Sequence, residues 1–315
     1  MRYINEFREG DNVAGTYLCK SKATLTTRAG KSYYSLVLQD KTGTIDGKVW
    51  DLGSGIDHFE AMDYIYIDSQ VLSYQGSNQL NIRRIRRSSE GEYYPEDYMP
   101  SSDKNIDVMY EELLDHVKNI KDVNLKTLVS KFFVDDKDFI ERFKQHSAAK
   151  TIHHGFMGGL LEHTLGVVKL CVYYSENYAI INKDLLIAAA LFHDIGKMDE
   201  LSTFPENDYT DEGQLMGHIF IGANQVSDKI KEIDKFPVTL KNELIHCILA
   251  HHGELEYGSP KKPAIVEAMV LNFADNADAK IQTMTEMFEA PDSGDDWLGY
   301  QRIFESNIRK TSKSK

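Results

Sequence analysis

The chain of 315 residues is predicted to be multidomain, with a small all-β barrel followed by an all-α bundle. Three observations lead there. Residues 13–86 break into short β-rich runs separated by glycine-bearing turns. The stretch "SSEGEYYPEDYMPSSDKN" is polar, holds Pro95 and Pro100 and shows no period. No proline then appears until Pro205, and apolar residues recur at intervals of three and four. The domains expected are a barrel over 1–88, a linker over 89–105 and a helical domain over 106–310.

In the first part, "SYYSLVLQD" sets Tyr34, Leu36 and Leu38 on one face and Tyr33, Ser35 and Val37 on the other. "DKTG" follows as a turn, and "TIDGKVWD" then alternates Ile45 and Val49 against Lys48 and Trp50. "DYIYIDSQVLSY" and "NQLNIRRIRR" supply further strands, five in all. So many short strands in under ninety residues suit a small barrel. After the linker, "DVMYEELLDHVKNI" and "GGLLEHTLGVVKLCVYYSENY" read as helices, the second aligning Leu161, Leu165, Val168 and Val172. "KDLLIAAALFHD" begins after a capping Asn182 and ends at Gly196. "LKNELIHCILAHHG" and "AIVEAMVLNFADNADAKIQTMTEMF" complete the set, and the final "RKTSKSK" reads as a frayed basic tail.

Composition bounds the function. No run of 18 apolar residues is present, so no membrane span is expected, and "MRYINEFREGDNV" lacks the apolar core of a secretion signal. Cys19, Cys171 and Cys247 lie far apart, which fits a reducing cytoplasm and neither a disulfide framework nor a zinc knuckle. The net charge of −13 is unevenly spread. The first ninety residues hold 12 Lys/Arg and 11 Asp/Glu, and the remainder holds 24 and 38. A near-neutral part carrying "RRIRR" and an acidic part have different work to do.

Ten of the eleven histidines follow the barrel. Read singly, a histidine is a surface or satisfied core residue, and His58, His116, His146 and His246 are read that way. His163, His193, Asp194, His251 and Asp275 are a different matter, since each segment of the bundle delivers one or two of them. Imidazole with carboxylate suits Mn, Fe, Co, Ni or Zn and does not suit calcium. Neighbouring side chains on a helix point about 100° apart, so His193 and Asp194 reach one centre only near a helix end, which Gly196 supplies. A carboxylate has two oxygens and can join two ions about 3.5–4 Å apart, which together would bind a hydroxide and phosphoryl oxygens.

The order "H…HD…H…D", in the contexts "LLEHTLGVV", "AALFHDIGK" and "FADNAD", resembles the HD phosphohydrolase superfamily over about 150–285. The resemblance implies one metal held by His163, His193, Asp194 and Asp275, and a second bridged by Asp194 and completed by His218 and His251. His252 ranks behind His251, because one member of a doublet can serve to support the other. Lys197 has a bland reading as a helix-end charge; the resemblance makes it a catalytic phosphate contact beside the bridging Asp194. His153 and His154 are read as loop residues.

"SYYSLVLQDKTGTIDGKVWD" looks like an OB-fold of the single-strand-binding type, which works by base stacking over a basic groove. Candidate stacking residues are Tyr33, Trp50 and Tyr74. Candidate phosphate contacts are Lys48, Arg83, Arg84, Arg86 and Arg87. An OB-fold ahead of an HD domain is similar to the YhaM family of bacterial 3′→5′ exoribonucleases. That resemblance implies Mn²⁺ as the cofactor, with Co²⁺, Fe²⁺ or Ni²⁺ as alternatives and two ions in the centre. It implies single-stranded RNA as substrate, single-stranded DNA as a second, and nucleoside 5′-monophosphates as product. A homo-oligomer is compatible with it. Two rival readings stay open. A phosphodiesterase acting on cyclic dinucleotides or nucleotides would be expected to carry a glycine-tyrosine-proline signature, for which "HHGELEYGSPKKP" offers only Tyr257, Gly258 and a displaced Pro260. A non-catalytic single-strand-binding protein would be expected to have lost ligands.

Overall fold

A computed structural model describes residues 1–53, 55–74, 76–99, 101–102, 104–150, 154–289 and 296–312. Its chain divides into two compact units. One comprises Met1–Asp103 with Thr203–Asp208, and the other Lys104–Ser202 with Tyr209–Lys315.

The first unit is a closed five-stranded barrel. Its strands are β1 (Asn12–Thr26), β2 (Ser32–Asp40), β3 (Gly43–Val49), β4 (Tyr64–Tyr74) and β5 (Ser77–Arg87). They run in the order β1-β2-β3-β5-β4, and β1 closes the ring by pairing with both β2 and β4. All pairings are antiparallel except β3 with β5, joined in parallel at Asp46–Gln79, Gly47–Leu80 and Lys48–Asn81. This is the OB-fold arrangement. The alternation seen in the sequence is the inside–outside alternation of the barrel. Leu36, Leu38, Ile45 and Val49 are buried with Tyr17, Ile65, Ile67, Val71, Leu80, Ile82 and Ile85, while Trp50 faces out at 44% exposure.

The linker expectation needs correction at its centre. Pro95–Asp97 form a short 3-10 turn, and Tyr98 and Met99 are buried. Tyr3 Oη donates to Asp97 at 2.8 Å, and Gln39 Nε2 donates to the Tyr98 carbonyl at 3.0 Å. Tyr64, Tyr93 and Tyr98 pack as an aromatic trio. A polar, proline-marked composition conceals this, because three rings, one carboxylate and one carbonyl suffice to pin the segment to the barrel.

The second unit contains α1 (Ile106–Lys118), α2 (Val123–Phe133), α3 (Lys137–Gln145), α4 (Gly159–Asn177), α5 (Lys183–Phe192), α6 (Lys197–Glu200), α7 (Asp211–Ile230), α8 (Val238–Ala250) and α9 (Val266–Glu289). At its centre lies α5, buried on every side from Leu185 to Phe192 and packed against α2, α4, α8 and α9. A helix apolar all round belongs inside a bundle. The Asn182 side chain caps it by accepting from Leu185 N–H at 3.2 Å. The unit is not wholly helical. After α9 come β6 (Trp297–Gln301) and β7 (Ser306–Arg309), a two-stranded hairpin. It absorbs the start of the segment expected to fray, with Arg309 paired to Asp296 at 3.2 Å. No helix among the described residues is long and apolar enough to cross a membrane.

Candidate metal centre

The centre forms where helices end. His193 is the C-cap residue of α5, and Asp194 follows it into the tight turn before α6. Gly196 is needed there for closeness: a Cβ would stand 2.1 Å from the His218 carbonyl oxygen on α7. α7 itself breaks at Gly217, whose φ of 72° is left-handed, and the break turns His218 inward. His163 comes from the second turn of α4, His251 from the C-cap of α8 and Asp275 from within α9.

Asp194 is the hinge of the arrangement. Its Oδ2 lies 3.4 Å from His163 Nε2 and 3.4 Å from His193 Nε2. Its Oδ1 lies 3.5 Å from His218 Nε2 and 3.6 Å from His251 Nε2. Asp275 joins the first side, with Oδ1 3.2 Å from His163 Nε2. Potential ligand atoms of His163, His193 and Asp275 lie within 4.8 Å of one another, as do those of His218, His251 and His252. Each oxygen of one buried carboxylate thus faces its own group of imidazoles.

The donor set suits divalent cations. Asp194 Oδ1 and Nε2 of His218 and His251 have no hydrogen-bond partner, although all are buried, while Asp194 Oδ2 meets the Lys197 ammonium. Leaving such atoms bare is costly, so a ligand for them is expected. The imidazoles are turned the right way for it, because each presents Nε2 inward and spends Nδ1 outward. Nδ1 lies 2.7 Å from Asp278 Oδ2 in His163 and 2.7 Å from the Ala190 carbonyl in His193. It lies 3.0 Å from Glu200 Oε1 in His218, 2.7 Å from the Ile248 carbonyl in His251 and 2.7 Å from the Tyr257 carbonyl in His252.

Electrostatics divide the rings. Burial pulls the His251 and His252 pKa values down, which keeps these rings neutral and able to coordinate. For His163 burial acts the same way, but the carboxylates of Asp194, Asp275 and Asp278 prevail and hold it well above the ordinary value. Burial would raise Asp194 and Asp275, yet Lys197 and the surrounding histidines keep both carboxyls below the usual range. Lys197 is half-buried with its Nζ 2.7 Å from Asp194 Oδ2, an ion pair that keeps both partners charged.

Every histidine and aspartate expected at the centre is therefore brought together, with His252 beside His251. Sequence reasoning missed Asp278 and Glu200. Asp278 was detectable only as a carboxylate one helical turn past Asp275, and Glu200 only as the last residue of "HDIGKMDE". His154 lies in a loop, as expected, and is buried there with Nε2 3.2 Å from Asp278 Oδ2. His153 lies outside the described residues.

On the barrel, Tyr33 stacks on Trp50 at a ring separation of 4.5 Å. Lys48 Nζ donates to Ser35 Oγ at 2.6 Å, placing it beside that pair on the outer face of β2 and β3. Tyr74 is 61% exposed at the far end of β4. The arginines divide into two kinds. Arg86 is engaged by Glu92 at 2.7 Å and Arg87 by Asp63 at 2.9 Å. Arg83 donates to the neutral Gln70 at 3.1 Å, and among the described residues neither Arg83 nor Arg84 pairs with a carboxylate.

Residues 160–280 match the family model for the HD domain. The bundle and its histidine–aspartate centre define a hydrolase of the HD class that depends on divalent metal, preceded by an OB-fold barrel. The chain belongs to the YhaM family of 3′→5′ exoribonucleases. It is 32% identical over 295 residues to the YhaM exoribonuclease of Listeria welshimeri serovar 6b, covering 92% of each chain. The YhaM exoribonuclease of Listeria innocua serovar 6a is likewise 32% identical, over 294 residues and 92% of each chain. An OB domain from Thermoplasma acidophilum solved by NMR matches 30% of this chain and 90% of its own, at 19% identity and a TM-score of 0.22.

Proposed function

We propose that this chain hydrolyses single-stranded RNA from the 3′ end, releasing nucleoside 5′-monophosphates, with two Mn²⁺ ions held in the helical unit. One observation carries the reading: the two oxygens of buried Asp194 face separate groups of histidines at 3.4 to 3.6 Å. His163, His193, Asp194 and Asp275 would hold one ion, and Asp194, His218 and His251 the other, with His252 supporting His251. When bound, such ions supply a water acidic enough to ionise near neutral pH and positive charge for phosphoryl oxygens. Co²⁺, Fe²⁺ and Ni²⁺ suit the same donors.

The chain's own residues do the rest. The helix ends fix His193, Asp194 and His251 more rigidly than a loop could. Burial excludes bulk water and strengthens every charge interaction at the centre. Lys197 would contact a substrate phosphate, its ammonium standing 2.7 Å from the Asp194 carboxylate. On the barrel, Tyr33 with Trp50, and Tyr74, would stack bases, while Lys48, Arg83 and Arg84 would contact phosphates. Arg86 and Arg87 belong to that groove with less charge to spare. Single-stranded DNA fits the same chemistry of stacking and phosphate contact. The domain limits proposed are 1–88 for the barrel itself and 106–310 for the helical domain, with a linker between them whose centre is pinned to the barrel. Three free cysteines, all buried, support a reducing cytoplasm.

The test is 5′-labelled single-stranded RNA incubated with Mn²⁺. A ladder shortening from the 3′ end is expected, and Asp194→Ala should abolish it while RNA binding persists. Binding without cleavage by the wild type, or near-full activity in Asp194→Ala, overturns the reading.

A further inference from the structure

Four histidines of the centre present Nε2 inward, and each must therefore leave its proton on Nδ1 and give that proton an acceptor. The acceptors are of two kinds. His193 and His251 each cap the end of a helix, where backbone carbonyls lack helical partners. Each takes the carbonyl three residues back, Ala190 or Ile248, at 2.7 Å. His163 and His218 have no such resource. His163 sits inside α4, where the carbonyls of the preceding turn belong to the helix ladder, and His218 follows the break at Gly217. Both draw a carboxylate from another element instead.

For His163 the carboxylate is Asp278 of α9, at 2.7 Å. Gly166 of α4 makes the room, since a Cβ there would stand 2.1 Å from Asp278 Oδ1. His154 Nε2 braces the same Asp278 Oδ2 at 3.2 Å. For His218 the carboxylate is Glu200 of α6, whose Oε1 takes both the ring Nδ1 and the backbone N–H of His218 at 3.0 Å. A Cβ on Gly213 would stand 2.1 Å from the Glu200 carbonyl oxygen, so α6 and α7 are in backbone contact there.

We propose that Asp278 and Glu200 are positioning residues, one for each half of the centre: Asp278 sets His163 for one cation, and Glu200 sets His218 for the other. This rests on the two-ion reading above. The two halves share Asp194 but no outer carboxylate, so their affinities are separable by mutation.

The experiment is equilibrium dialysis of the full chain against Mn²⁺, with metal content measured by plasma mass spectrometry and spin coupling by paramagnetic resonance. Wild type is expected to take up two ions per chain with a coupled spectrum. Asp278→Ala and Glu200→Ala should each retain one ion at wild-type affinity and weaken the other about 10–100-fold. At limiting Mn²⁺ both should show the spectrum of an isolated ion. Where an alanine chain does not fold, Asp278→Asn and Glu200→Gln decide. Their amide oxygen still accepts the Nδ1 proton without the charge, so one ion should weaken severalfold and the other should not change. Two ions at wild-type affinity in every variant, or equal weakening of both ions in each, overturns the assignment. A wild type that takes up no Mn²⁺ overturns the two-ion reading itself, a distinguishable failure.

Discussion

At the scale of single residues, the centre is governed by where each imidazole keeps its proton. The histidines and Asp194 were legible in the sequence, because metal ligands have few chemical types and their order along the chain is distinctive. Asp278 and Glu200 were not, because a carboxylate that orients a histidine from another helix has no required spacing from it. The barrel arginines show the same limit. "RRIRR" announces charge but not which cations are already neutralised by Glu92 and Asp63. Arg83→Ala and Arg84→Ala should therefore weaken RNA binding more than Arg86→Ala and Arg87→Ala, measured by fluorescence anisotropy at one salt concentration. Glu92 itself reports its pairing: the Arg86 guanidinium lowers its pKa from 4.5 to about 2. A depressed carboxylate stabilises the fold above its unfolded pKa and loses that contribution as pH falls through the folded one. The Glu92 resonance should thus titrate near 2, and Arg86→Ala should return it towards 4.5.

At the scale of elements, the site depends on helices that stop at the right place. The start of α5 was readable, because Asn182 and the continuous apolar run are local signals, but its end was not: the helix stops at Phe192, and Gly196, expected as the stop, has helical dihedrals and opens α6. The break in α7 was not, since a glycine within a helical run does not disclose its φ. Gly196→Ala would press a methyl against the His218 carbonyl, 2.1 Å away, and force α6 and α7 apart. The expected cost is about 1–3 kcal/mol, typical of overpacking, seen as a lower urea midpoint together with weaker Mn²⁺ uptake. The linker is the opposite case. Its composition reads as unstructured, yet Asp97 and Tyr98 fasten it to the barrel through contacts with Tyr3 and Gln39 far away in sequence.

At the scale of the molecule, metal binding and stability are linked. Cations that bind the folded bundle and not the unfolded chain stabilise it, by about 2.7 kcal/mol for each site at a hundredfold excess over Kd. Treatment with EDTA should abolish hydrolysis and lower the melting temperature of the helical unit, with both restored by Mn²⁺. An unchanged melt would mean that the clustered carboxylates and imidazoles bind no ion.

By itself the sequence determined the two kinds of secondary structure, the alternation of the barrel strands and the set of candidate ligands. Those properties follow from period, from caps and from the few side chains able to coordinate a metal. Only the tertiary structure decided that Asp194 turns one oxygen to each group of histidines, that Asp278 and Glu200 hold two of the rings, and that half the arginine run is internally paired. Each of these is a contact between residues distant in the chain, and no local pattern encodes the distance between two side chains that folding alone brings together.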